Sequence, residues 1–106
     1  MEKRKHERIP ASLRVIFDTC ETDHKGTITN ISETGMYIEP DMMWFPFETR
    51  LQICIKSADK IINLPVRVCR MTKSKTLFKG IGVELVEPSQ DYISLVKQLK
   101  NDIHHD

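Results

Sequence analysis

Two arginines four residues apart, Arg4 and Arg8, stand in a charged N-terminal run, Lys3-Arg4-Lys5-His6-Glu7-Arg8. A guanidinium is a rigid fork of donors. It pairs bidentately with an anion such as phosphate, and its plane stacks on flat rings. Lysine matches none of these geometries well. The second cluster is Asn30-Ile31-Ser32-Glu33-Thr34-Gly35. Asn30 can donate and accept toward a base edge, and Ser32 can donate to phosphate or base. Gly35 permits a positive φ or a close backbone approach. Residues two apart on a strand share a face, which would put Asn30 and Ser32 side by side. Both clusters also have a plain reading. A charge run at a terminus is usually a solvated tail, and Asn, Ser and Gly form turns for local reasons.

The elements that must hold these residues are mostly strands. Residues 1–11 read as a flexible basic arm, with Pro10 near its end. From Ser12 the period is two, with Leu13, Val15 and Phe17 on one face. Thr27 to Ser32 and Met36 to Glu39 follow as strands around the turn Ser32-Glu33-Thr34-Gly35. Leu51, Ile53 and Ile55 alternate in a fourth strand, Leu64, Val66 and Val68 in a fifth, and Ile81, Val83 and Leu85 in a sixth over 77–85. Pro65 has no N–H for a ladder, which suggests an edge strand or a bulge. The period changes at Pro88. Tyr92, Leu95, Val96, Leu99 and Ile103 recur at helical spacing, predicting a helix over 88–103 with Pro88, Ser89 and Asp91 favouring its start. Six strands and one amphipathic helix imply an all-β fold with a C-terminal helix, a six-stranded antiparallel β-barrel over 12–106.

Composition narrows the function. The chain has 106 residues, enough for one domain, and a formal charge of +1 argues against bulk attraction to duplex nucleic acid or anionic membrane. Aromatic residues make up 7% of the chain, few for a nucleic-acid-binding barrel that stacks bases along its strands. No apolar run approaches the length of a membrane span and no signal peptide is visible, so neither membrane insertion nor secretion is expected. Cys20, Cys54 and Cys69 are odd in number and lack metal spacing. They read as free thiols of a cytoplasmic protein. His6, His24, His104 and His105 form no metal motif, and no set of catalytic side chains converges, so no enzyme and no metal or cofactor is expected. The aromatic stretch Pro40 to Phe47, with Trp44, either folds over the barrel end or offers a partner patch. Arg67 and Arg70 read as outer-face cations, and Arg70 would add a phosphate contact if it lay near the Asn30 strand. Gly80 and Gly82 share a strand face, which suits curvature or close packing.

The pattern Arg4-x-x-x-Arg8 followed by Asn30-x-Ser32-x-x-Gly35 resembles the signature of the PilZ family, and Gly80-Ile81-Gly82-Val83-Glu84-Leu85 looks like that family's last strand. The resemblance runs from Lys3 to the helix. It implies a Greek-key or split barrel and a bacterial receptor for the second messenger cyclic di-GMP, with no catalytic activity. It implies a ligand site on the outer wall made by Arg4, Arg8, Asn30, Ser32 and Gly35. Lys3 stands where the family sets whether one ligand or a stacked pair binds. Asn30 stands where many members carry Asp, which removes a negative charge beside a dianionic ligand. The arm is expected to order on the ligand and to present a surface to an unidentified downstream protein, from a monomer or weak dimer. The alternative is a module of the same fold that binds proteins but not the nucleotide.

Overall fold

The computed structural model describes residues 8–18, 23–41, 50–57, 59–74, 77–87 and 89–104. Its elements are β1 (Ile9–Asp18), β2 (Asp23–Ile31), β3 (Gly35–Pro40), β4 (Arg50–Ser57), β5 (Lys60–Ser74), β6 (Leu77–Leu85) and α1 (Gln90–His104). The strands close into an antiparallel barrel in the order β1-β2-β3-β6-β5-β4, with β4 paired back to β1. Closure gives every strand a paired neighbour on both sides, with β1 and β4 joined over Val15–Asp18.

Alternation fills the interior. Val15 and Phe17, Met36 and Ile38, Leu51, Ile53 and Ile55, Leu64 and Val66, and Ile81 and Val83 all point inward and are buried. Burial of such a side chain is worth about 1.5–3 kcal/mol each. From α1, Tyr92 and Val96 enter the same core, while Leu95 and Leu99 pack against it. Ser89 caps the helix: its hydroxyl accepts from the Tyr92 amide at 3.2 Å, and its carbonyl accepts from the Ile93 amide at 2.9 Å. The helix therefore starts at Gln90, two residues after the expected Pro88, which lies outside the described residues.

Strand β1 begins at Ile9, inside the segment expected to be arm, because Ile9 pairs with Ile31 and is buried. Strand β5 is longer than its alternation suggested, pairing with β4 along its first half and with β6 along its second. Pro65 lies in this interior strand and not in an edge strand, and the β5 register shifts lie elsewhere. Its carbonyl accepts from the Val86 amide at 3.1 Å, just past the last ladder pair, Val66 with Leu85. A strand residue's N and O face the same neighbour, so the missing N–H falls where the β5–β6 ladder has ended.

Irregularities decide which side chains face out. In β2 the register slips between Ile28 and Asn30, and in β5 between Val68 and Arg70. Ile28 and Ile31 are both fully buried although they are three apart. Strict alternation would have aimed Asn30 inward beside Ile28; the extra residue, Thr29, turns it out. The extra residue Cys69 does the same for Arg70, which is exposed. Cys54 is half-buried and Cys69 exposed, both free thiols.

Candidate ligand-binding site

The end of β2 and the turn into β3 hold the second sequence cluster. Arg8 donates from Nη1 to Asn30 Oδ1 at 3.0 Å. This bond joins the last residue of the basic run to the first residue of the turn cluster, on the outer wall. Pro10 pairs with Asn30 and Ile9 with Ile31, so the start of β1 fixes where Arg8 emerges. Arg4 and Lys3 lie outside the described residues, as do Trp44, Cys20 and most of the Pro40 to Phe47 stretch.

Ser32 is placed differently from Asn30. It is 3% exposed, and its hydroxyl accepts from the Thr34 amide at 3.3 Å and lies 3.4 Å from the Gly35 carbonyl. Its own amide donates to that carbonyl at 2.8 Å. In this state Ser32 builds the turn, and the polar group left facing solvent at the strand end is Asn30. Gly35 is buried against β6, where an added Cβ would sit 2.4 Å from the Val83 carbonyl oxygen.

The helix bolts this turn in place. The Tyr92 hydroxyl reaches the Ser32 carbonyl at 2.5 Å and the Gly35 carbonyl at 2.8 Å, sharing its one proton between them. Burial pushes the Tyr92 phenol well above its ordinary value, while the positive charge of Arg8 pulls weakly the other way. Lys100 Nζ meets Glu33 Oε2 at 3.5 Å, a second tie from α1 to the same turn. Leu85 donates its amide to the Thr34 carbonyl at 2.9 Å, adding a tie from β6. Sequence reasoning counted Tyr92 only as part of an apolar helix face. Its hydroxyl was the available signal, since a buried tyrosine needs a partner for its O–H.

Farther along the wall, Tyr37 stands opposite Asn30, and its hydroxyl bonds to Thr72. Its ring lies over Gly80, where an added Cβ would come within 2.6 Å of the ring carbon bearing the hydroxyl. Among the described residues no buried side-chain nitrogen or oxygen lacks a hydrogen-bond partner, and no cluster of His, Cys, Asp and Glu could hold a metal ion. No described helix is long and apolar enough to cross a membrane. The wall thus offers one clear chemistry: an exposed guanidinium beside a half-buried amide on a closed sheet, suited to a flat anionic ligand with polar edges.

Solved structures share this architecture. The Bacillus subtilis inhibitor of motility, MotI/DgrA, matches with a TM-score of 0.76 at 18% identity, over 100% of this chain and 54% of that one, so this chain spans about half its length. The PilZ domain of Escherichia coli YcgR, solved with c-di-GMP, matches with a TM-score of 0.73 at 10% identity, over 92% of this chain and 88% of that one. The PilZ domain of CeSA from a cellulose-synthesizing bacterium matches with a TM-score of 0.62 at 22% identity, over 89% of this chain and 98% of that one. At such identities the likeness is one of fold. No curated protein matches the sequence. Family membership rests on the sequence itself: the PilZ domain model matches residues 2–101, nearly the whole chain that folds into this barrel, and the chain belongs to the PilZ domain family.

Proposed function

We propose that this chain is a receptor for cyclic di-GMP that acts without catalysis in the bacterial cytoplasm. The observation that carries the reading is the Arg8–Asn30 hydrogen bond, which unites the two sequence clusters on one outer wall. The YcgR domain of the same fold was solved with that nucleotide. In this reading Arg8 and Arg4 take the guanine edge and the phosphates, and Asn30 takes a base edge. Ser32 and Gly35 contribute through the turn they shape, and Lys3 offers a cation to a phosphate without stacking as an arginine would. The arm, residues 1–8, closes over the ligand and gives a partner protein a new surface, so part of the binding energy goes into ordering it.

Isothermal titration with cyclic di-GMP tests this. The wild type should bind saturably, Arg8→Ala should abolish binding, and the fitted stoichiometry reports whether one ligand or a stacked pair is held. Saturating ligand should also protect the arm from protease. A folded wild type that shows no heat at high micromolar ligand overturns the receptor reading, and unchanged protease sensitivity overturns the closing arm.

A further inference from the structure

The strand register draws a line across the outer wall that sequence spacing does not show. Asn30 pairs with Tyr37, Tyr37 with Gly82, and Gly82 with Arg70. Directly paired residues project from the same face of a sheet. These four residues, from β2, β3, β6 and β5, therefore form one row. Its ends are three strand spacings apart, roughly 14 Å at about 4.8 Å each.

The row is low in its middle. Gly82 has no side chain, and Tyr37 leans off the line toward Thr72 and Gly80. The Arg70 side chain fills the space over Gly82: a Cβ there would stand 3.3 Å from both Arg70 Cγ and Nε. Arg70 thus reaches from β5 across β6, in the direction of Asn30. Arg14 and Arg67 are each paired with a carboxylate, Asp41 and Glu84. Arg70 has no ion-pair partner among the described residues. Both ends of the row, Asn30 and Arg70, are turned outward by an extra residue in their strands. Such bulges re-aim side chains at binding sites.

We propose that Arg70 is the far cation of the ligand site, pairing with a phosphate of the bound cyclic dinucleotide from the side opposite Arg8; this rests on the cyclic di-GMP reading above. A flat dianionic ligand lying along the row meets Arg8 and Asn30 at one end. At the other it meets the Arg70 guanidinium, held close to the sheet and without an ion-pair partner among the described residues.

The test is titration of cyclic di-GMP into the wild type, Arg70→Ala, Arg70→Lys and Lys56→Ala, with thermal melts of each. Lys56 is exposed on β4, off the row, and its loss changes the net charge as much as the loss of Arg70. Arg70→Ala should raise Kd about tenfold or more, the effect of losing one charge-assisted contact. Arg70→Lys, which keeps the charge and most of the stem, should recover part of that loss, and Lys56→Ala should leave Kd within about twofold. If the wild type binds and Arg8→Ala abolishes binding while Arg70→Ala leaves Kd unchanged, Arg70 is not in the site and the receptor reading stands. An equal loss in Lys56→Ala reduces the effect to net charge and overturns the assignment. A wild type that does not bind overturns both.

Discussion

At Gly35 the space that a side chain would need is filled by the backbone of β6. An added Cβ would lie 2.4 Å from the Val83 carbonyl oxygen and 3.3 Å from Glu84 Cα. No flexible side chain is there to give way, and the φ of Gly35 lies outside the left-handed region, so glycine supplies room and not an unusual turn. Gly35→Ala should therefore lower stability by about 1–3 kcal/mol, the usual cost of overpacking, before any effect on ligand. Urea unfolding of the unliganded variant measures it; an unchanged midpoint would mean that β6 shifts at little cost. The residue types of the cluster were legible in the sequence, but their division of labour was not. Asn30 and Ser32 look equivalent at a spacing of two. Only the structure shows Ser32 buried in the turn and Asn30 bonded to Arg8.

Among the elements, α1 is the one whose position bears most directly on the site. It is tied to the β2–β3 turn by Tyr92 and Lys100, and its first turn is held by Ser89. Ser89→Ala removes the side-chain acceptor for the Tyr92 amide, the residue that also carries the bolt. The variant should lose about 1 kcal/mol, as N-cap deletions typically do. Thermal or urea unfolding followed by circular dichroism reads this, and a loss below about 0.3 kcal/mol would show that water replaces the cap fully. The six strands and the helix were legible because period two and period 3.6 separate cleanly in this chain. The bulges at Thr29 and Cys69 were not, since one extra residue leaves composition and spacing intact while it reverses the facing of everything after it. Pro65 misled for a related reason. Proline marks the end of one ladder, and the sequence does not say on which side of the strand that end falls.

At the scale of the whole molecule, closure turns local pieces into one wall. Strand order in the ring, with β3 beside β6 and β4 beside β1, is set by which surfaces pack together, and no short-range pattern encodes it. That order, with the register and the two bulges, brings Arg70 into line with Asn30, a relation the sequence could state only as a condition. The same closure buries Tyr92 completely, and this has a consequence for the pH range of the fold. Burial pushes the Tyr92 phenol up in the folded state, whereas an unfolded tyrosine ionises near its ordinary value of about 10. A group whose folded value is raised contributes stability that is fully present below the unfolded value. That contribution is lost as pH climbs toward the folded one, because the unfolded chain releases the proton first. Tyr92→Phe removes both the titration and the hydroxyl that two buried carbonyls share. At neutral pH the variant should be less stable by about 1–3 kcal/mol, the cost of leaving the buried Ser32 carbonyl unpaired, while the Gly35 carbonyl keeps its bond from the Ser32 amide. Above about pH 10 the gap should narrow, since only the wild type has this tyrosine to ionise on unfolding. Lysines in general titrate there too, but they are common to both chains and cancel in the difference. Urea unfolding of the pair across the alkaline range decides the matter. A gap that stays constant or widens above pH 10 would show that the Tyr92 hydroxyl ionises at least as readily in the fold as in water, and no gap at neutral pH would show that the turn is held by packing and not by that buried bond.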